Sequence, residues 1–324
     1  MNNSVEARMT QSFLLSVVIP VYNGAESIER LVNALKDGLG LGAPFEVVLV
    51  NDGSRDQSDA ACRRLAAAQI VPTTYINLTR NNGEHNAVMA GLAHAKGDWI
   101  VTIDDDFQNP PSEVAKLVRF AQDSHHDVVY SIYKTRKHAF WRVWGSQFAN
   151  GVAGVLMDKP KGFYLSSFRC MRKWVAQEVI RYTGPYPYID GLILQVTQNL
   201  GQLEVEHSAR AGGRSNYTLR RLVRLWLHLA VNFSIMPLRA STLLGLFMSA
   251  IGFLFCLYII IDYLVHGAPV EGWASLMSAV ALFAGAQLVM LGLIGEYVGR
   301  IHLTANGKPQ YVVRDVQPHD DGKS

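Results

Sequence analysis

Two nearly unbroken apolar runs, Thr242 to Val265 and Ala274 to Ile294, constrain this 324-residue chain more than any other feature. At about 1.5 Å rise per residue, each is long enough to cross a hydrocarbon layer of roughly 30 Å as a helix. The rear of the chain therefore reads as a two-helix membrane hairpin. Arg239 precedes the first run, Arg300 and Lys308 follow the second, and His266 to Trp273 between them holds no Lys or Arg. By the positive-inside rule, both ends of the hairpin belong on the cytoplasmic side.

Just ahead of the hairpin, Leu219 to Leu238 interleaves Arg220, Arg221, Arg224 and His228 with Leu, Val, Trp and Phe at helical spacing. That pattern suits an amphipathic helix lying in the membrane interface. A core helix with a solvated basic face is the competing reading, and the apolar runs that follow count against it. The expected organisation is a cytoplasmic α/β domain over 1–218, an interfacial helix over 219–238, two spans within 239–300 (about 242–265 and 274–296), and a cytoplasmic tail over 301–324.

Met1 to Gln11 is polar, and the apolar stretch from Phe13 to Val21 is short and interrupted by Pro20, so no signal peptide is expected and the front part stays in the cytoplasm. The net charge of +3 argues against a nucleic-acid partner. Cys62, Cys170 and Cys256 are spaced for neither a disulfide framework nor a zinc site.

Within the front domain, Phe13 to Ile19, Phe45 to Val50, Thr73 to Asn77, Trp99 to Ile103 and Val128 to Ile132 read as strands separated by helices. Such alternation predicts a parallel, Rossmann-like sheet whose ligands sit beyond the carboxyl ends of the strands. The unusual residues fall there: Pro20-Val21-Tyr22-Asn23, Asn51-Asp52-Gly53-Ser54, Arg80-Asn81-Asn82-Gly83 and Asp104-Asp105-Asp106. Singly each is an ordinary turn; jointly they favour a site.

If Asp104 to Asp106 continues the fourth strand, the pleat puts Asp104 and Asp106 on one side and Asp105 on the other. Two like charges that close call for a hard divalent cation, Mg²⁺ or Mn²⁺, which also neutralises a diphosphate leaving group. An acidic helix cap before Pro110-Pro111 is the structural alternative. Asp52 has two readings, a carboxylate that accepts hydrogen bonds from a base or ribose and an Asx-turn cap. Arg80 suits either a phosphate or the acidic cluster, and is equally a surface arginine.

These residues resemble family-2 glycosyltransferases of the GT-A fold, specifically the polyprenyl-phosphate branch that includes dolichol-phosphate mannose synthase, bactoprenol glucosyltransferases and undecaprenyl-phosphate aminoarabinose transferase. The resemblance spans roughly Leu15 to Val313. It is carried by Val50-Asn51-Asp52-Gly53-Ser54, by Ile103-Asp104-Asp105-Asp106-Phe107-Gln108-Asn109-Pro110-Pro111, by Pro237-Leu238-Arg239, and by Gly285-Ala286-Gln287 through Gly295-Glu296-Tyr297-Val298-Gly299-Arg300.

The resemblance implies that Pro20, Tyr22 and Asp52 hold the nucleoside and that Asp104, Asp106 and Gln108 bind the metal and the sugar diphosphate. It also implies that Lys134 and Arg136 receive the lipid phosphate, although a solvated basic turn is an equal reading of that stretch. Three departures stand out. Gly24 replaces a usual Glu, Ser167 takes the place of an Asp read as a candidate base, and Asn216 replaces a usual Lys, with Arg214 as the substitute cation. A lipid phosphate has a second pKa near about 6, so its oxygen is largely ionised at neutral pH without a strong base. Arg169 could then orient the acceptor or donor phosphate while Asp104 or Asp190 tunes the local charge.

The expected function is metal-dependent, inverting transfer of a sugar from a UDP- or GDP-sugar to undecaprenyl phosphate at the bacterial inner membrane. Small residues around Gly285 to Gly299 also suggest homo-oligomers through the membrane helices. A processive polysaccharide synthase is the rival enzyme, but two late spans and Arg172-Lys173-Trp174 match it poorly. A non-catalytic lipid-sugar-binding subunit is the rival from another class, motivated by Gly24 and Ser167.

Overall fold

The computed structural model describes residues 14–133, 160, 163–206, 236–266 and 272–319. These divide into two units, one holding the front of the chain together with residues from 308 onward, the other holding the two long helices.

The first unit is built on β1 (Leu15–Val21), β2 (Phe45–Asn51), β3 (Thr73–Leu78), β4 (Trp99–Thr102), β5 (Val128–Tyr133), β6 (Arg169–Arg172), β7 (Leu200–Val205) and β8 (Val313–Gln317). They form one eight-stranded sheet in the order β7-β5-β6-β4-β1-β2-β3-β8. β1 pairs in parallel with both β2 and β4, and β2 with β3. Their side chains are buried on both faces, as the continuous Val/Ile/Leu runs require. The helices between them are α1 (Ala25–Gly38), α2 (Ser58–Ala68), α3 (Glu84–His94) and α4 (Pro111–Asp123). α1 turns Ile28, Leu31, Val32 and Leu35 inward, the spacing of a helix with one apolar face.

From β1 the chain winds outward through β2 and β3, then jumps back to place β4 on the other side of β1. The carboxyl ends of β1 and β4 therefore flank the switch point of the sheet, where an open α/β fold leaves a crevice.

Beyond β4 the sheet departs from the parallel expectation. β6 lies antiparallel between β4 and β5, with Thr102 opposite Arg169, and β7 extends β5 in parallel. α5 (Lys173–Val179) and α6 (Ile189–Val196) follow β6.

The segment assigned to a tail over 301–324 is also different. β8 pairs antiparallel with the outer edge of β3, and Asp315 accepts from Asn77 Nδ2 at 3.1 Å and pairs with Arg63 at 2.8 Å. Gln310 donates to the carbonyls of Tyr182 and Gly184.

The second unit contains α7 (Met236–His266) and α8 (Trp273–Ala305), both longer than the apolar runs alone suggested. Within them, Ser241–Val265 and Leu276–Ala305 are long and apolar enough to cross a membrane. Gly245 faces Met290 and Gly252 faces Phe283, so the helices run antiparallel with their small residues at the contact. Leu264, Val289 and Leu288 are about 70% exposed, a surface unsuited to water. A Cβ added at Gly285, Gly292, Gly295 or Gly299 would meet nothing within 4 Å among the described residues beyond the adjoining turns of its own helix. The interfacial helix expected over 219–238 lies almost wholly outside the described residues.

Because β8 covers the edge of β3 and ties it through Asp315, a chain ending at Gly307 is expected to melt about 5 °C or more below the full protein in detergent. An unchanged melting temperature would show that the strand contributes nothing to the domain.

Candidate active site

The loops after β1, β2, β3 and β4 meet at the switch point. Gly53, in the loop after β2, has φ +62°, and a Cβ there would lie 2.4 Å from the Arg80 carbonyl carbon and 2.5 Å from the Asn81 nitrogen. Only glycine lets the loop after β3 cross so close. Asp52, 3% exposed, clamps that crossing: its two carboxylate oxygens accept the backbone N–H groups of Asn82 at 2.8 Å and Gly83 at 2.9 Å. Burial raises its pKa, with those two N–H groups working in the opposite direction. Each oxygen takes one backbone N–H and keeps a second acceptor site, so the turn clamp is formed and is compatible with a nucleoside contact as well.

Pro20, half-buried, is the next-to-last residue of β1, and Tyr22 projects into solvent just past the strand, 45% exposed. Arg80 is exposed, and its Nε donates to Asn82 Oδ1 at 3.3 Å, so it braces its own loop and contacts none of the three aspartates.

The acidic turn differs from the alternating pattern expected of it. β4 ends at Thr102, Asp105 and Asp106 lie in a tight turn, and Phe107 has φ +60°. No pleat governs the three side chains, and each goes its own way. Asp104 Oδ2 accepts from Ser167 Oγ at 2.6 Å. Asp106 Oδ1 accepts the Gln108 backbone N–H at 3.1 Å. Asp105 turns toward Gly24. Loss of water and the charges of Asp104 and Asp106 push the Asp105 pKa up to about 7.

Ser167 is thus joined to the acidic turn by a direct hydrogen bond. Behind it, Arg169 is 1% exposed and forms an ion pair with Asp190, itself 6% exposed. Its Nε donates to Thr102 Oγ1 at 3.2 Å, and Thr102 Oγ1 donates to the Ser167 carbonyl at 2.5 Å. An unbroken polar chain therefore runs Asp190, Arg169, Thr102, Ser167, Asp104. A guanidinium sealed this way reaches no substrate phosphate, so the expected role of Arg169 is corrected to that of a strut under the acidic turn. Asp190 is its counter-ion.

Two residues beside the turn escaped the sequence reading. Glu84 opens α3 directly after the Arg80–Gly83 loop. Its side chain reaches solvent, but loss of water around the carboxyl and the charge of Asp104 push its pKa up to about 7. His85 stacks edge-on against Tyr188 at 5.0 Å, and burial pulls its pKa down to about 4. An acid opening a helix next to a strand-end loop was the available signal for Glu84; nothing local marked His85. Lys134, Arg136 and Arg214 lie outside the described residues.

Among the described residues, no three Asp, Glu, His or Cys side chains form a ready cation cage. A Mg²⁺-type site needs only one or two carboxylates plus substrate phosphates and water. Asp104 and Asp106 are of the right chemistry to be those carboxylates, and the raised pKa values of Asp105 and Glu84 reflect first their loss of water and then the negative charge of Asp104 beside them.

Replacing Asp190 by Ala strands the buried Arg169 charge and is expected to cost about 3–5 kcal/mol. Ser167→Ala removes one hydrogen bond and is expected to cost about 1 kcal/mol. Thermal unfolding of the whole protein should rank the two variants in that order, and equal small losses would contradict the strut.

Residues 16–180 match Glycosyl transferase family 2, and residues 236–301 match the GtrB C-terminal hairpin. The chain is 34% identical over 309 residues to the undecaprenyl-phosphate 4-deoxy-4-formamido-L-arabinose transferase of Shewanella sediminis, covering 93% of this chain and 92% of that protein. A protein of the same name from Pseudomonas aeruginosa is 34% identical over 313 residues, covering 94% and 90%. Among solved structures, glucosyl-3-phosphoglycerate synthase from Mycobacterium tuberculosis, in complex with Mn²⁺, UDP-glucose and phosphoglyceric acid, superposes with a TM-score of 0.50 at 19% identity, over 69% of this chain and 79% of that one. That likeness is one of fold, and it makes the front domain GT-A-like. With a matched catalytic domain, a matched hairpin and relatives alike along nearly their full length, the chain belongs to glycosyltransferase family 2 and is a glycosyltransferase of its hairpin-bearing branch.

Proposed function

We propose that the protein transfers one sugar from a UDP- or GDP-sugar to undecaprenyl phosphate, releasing the nucleoside diphosphate and leaving a lipid-linked monosaccharide. The observation that carries this reading is the acidic turn at the switch point, held from behind by Ser167 and Arg169, in a chain whose relatives at 34% identity are named for undecaprenyl-phosphate sugar transfer.

In this reading Pro20 and Tyr22 line the nucleoside side of the crevice, and Asp52 shapes it indirectly by fixing the loop at Asn82 and Gly83. Asp104 and Asp106, with the Gln108 amide nearby, would hold a Mg²⁺ or Mn²⁺ ion, which when bound supplies positive charge to the departing diphosphate. Ser167 keeps Asp104 turned toward that position. The lipid phosphate oxygen, already ionised at neutral pH, forms the new bond to the anomeric carbon as the bond to the nucleoside diphosphate breaks, with inversion. No residue needs to remove a proton, which is why Ser167 in place of a carboxylate is compatible with turnover. Lys134, Arg136 and Arg214 are the proposed cations for the two phosphate groups.

The hairpin is placed across the bacterial inner membrane. The chain leaves the front domain after β7, and β8 belongs to that same domain, so an even number of crossings returns it to the starting side. The basic residues Arg239, Arg300 and Lys308 favour the cytoplasm for that side.

The test is a panel of labelled UDP- and GDP-sugars incubated with the purified full chain, undecaprenyl phosphate and Mn²⁺. One acid-labile lipid monosaccharide is expected, from one donor, abolished by EDTA and reduced about 100-fold or more by Asp106→Asn. A polymeric product would overturn single-sugar transfer, and full activity in EDTA or in the variant would overturn the metal assignment.

A further inference from the structure

Asp105 has no place in the chemistry described so far, yet its direction is strongly determined. A Cβ built on Gly24 would lie 2.0 Å from Asp105 Oδ2 and 2.9 Å from its Cγ. The carboxyl thus fills the space that any side chain at position 24 would need. Gly24 itself has φ −113°, a conformation open to every residue, so the glycine is required for room and not for backbone freedom.

The loop that Asp105 approaches is fixed from its other side. Asn23 N–H donates to Ser54 Oγ at 3.0 Å, Gly24 N–H to Ser58 Oγ at 2.9 Å, and Arg55 N–H to Asn23 Oδ1 at 2.9 Å. Asp105 Oδ2 is sealed from solvent and has no hydrogen-bond partner among the described residues. A buried carboxylate oxygen left unpaired is a net cost to the fold. A residue kept for stability alone would not be built this way.

We propose that Asp105 is a donor-positioning residue, matched to Gly24, that locks the loop bearing Tyr22 to the turn bearing Asp104 and Asp106. The inference rests on the placement of the nucleoside beside Tyr22 and of the diphosphate beside Asp104 and Asp106. A nucleotide-sugar has to touch both loops at once, so its binding depends on their relative position. Asp105 sets that position by packing its carboxyl against Gly24 at one end and through its own backbone in the acidic turn at the other.

Four variants of the full-length protein test this: Asp105→Ala, Asp105→Asn, Gly24→Ala and the double Gly24→Ala/Asp105→Ala. The readouts are the melting temperature without ligand, calorimetric affinity for UDP and for GDP with Mn²⁺, and donor KM and kcat. Asp105→Ala is expected to leave the melting temperature unchanged or raise it, while weakening the preferred nucleotide and raising donor KM about tenfold with kcat little altered. Asp105→Asn keeps the shape that packs against Gly24, and should restore most of the affinity.

Gly24→Ala should lose stability and binding together, because its methyl group meets Oδ2, and the double variant should recover to the level of Asp105→Ala. A lower melting temperature with unchanged nucleotide affinity in Asp105→Ala would overturn the proposal in favour of a purely structural residue. A double variant as damaged as the two single losses combined would overturn the pairing. Wild-type protein that binds neither nucleotide would overturn the functional reading and this inference with it, whereas wild-type and Asp105→Ala binding alike would overturn the inference only.

Discussion

The Arg169–Asp190 ion pair is the interaction on which the rest of the crevice depends. A guanidinium with 1% exposure has to satisfy its donors inside the protein, and it does so with Asp190 on α6 and Thr102 at the end of β4. Such a pair adds little net stability compared with apolar packing, but removing one partner is expensive, so it holds one arrangement against others. Through Thr102 and the Ser167 carbonyl, that arrangement passes to Asp104. The strand that carries Arg169 lies antiparallel between β4 and β5, and this insertion brings Ser167 beneath the acidic turn.

The same constraint explains what was legible in the residues and what was not. The five strands rich in β-branched and large apolar side chains were readable, because burial on both faces leaves a continuous signature. β6, Arg-Cys-Met-Arg, hides its burial behind two arginines, one of which is neutralised by an aspartate twenty-one residues away. β8 is a polar edge strand whose partner precedes it by more than two hundred residues, so no local pattern points to it. The hairpin was the clearest element, since length and apolarity alone mark helices long and apolar enough to cross a membrane.

At the site, residue types were legible and directions were not. The reading of Asp104 and Asp106 as a pair sharing one face assumed a strand that stops two residues too early. A turn instead sends three neighbouring carboxylates to Ser167, to Gly24 and to the Gln108 backbone. Asp52 lies where expected, but both of its oxygens serve the loop after β3. Ser167, first noted as a departure from an acidic pattern, proves to be a neutral donor to an acidic neighbour. A carboxylate there would add one more negative charge to a cluster in which loss of water, and then neighbouring charge, already raise the pKa of Asp105 and Glu84.

The central claim is that Asp104, held by Ser167, faces a divalent cation shared with the donor diphosphate. Electron paramagnetic resonance of Mn²⁺ titrated into the whole protein, with and without UDP, measures this directly. The account expects weak Mn²⁺ binding alone, marked tightening when UDP is added, and loss of that tightening in Asp104→Asn. Mn²⁺ bound equally well with and without UDP, or unaffected by Asp104→Asn, would contradict it.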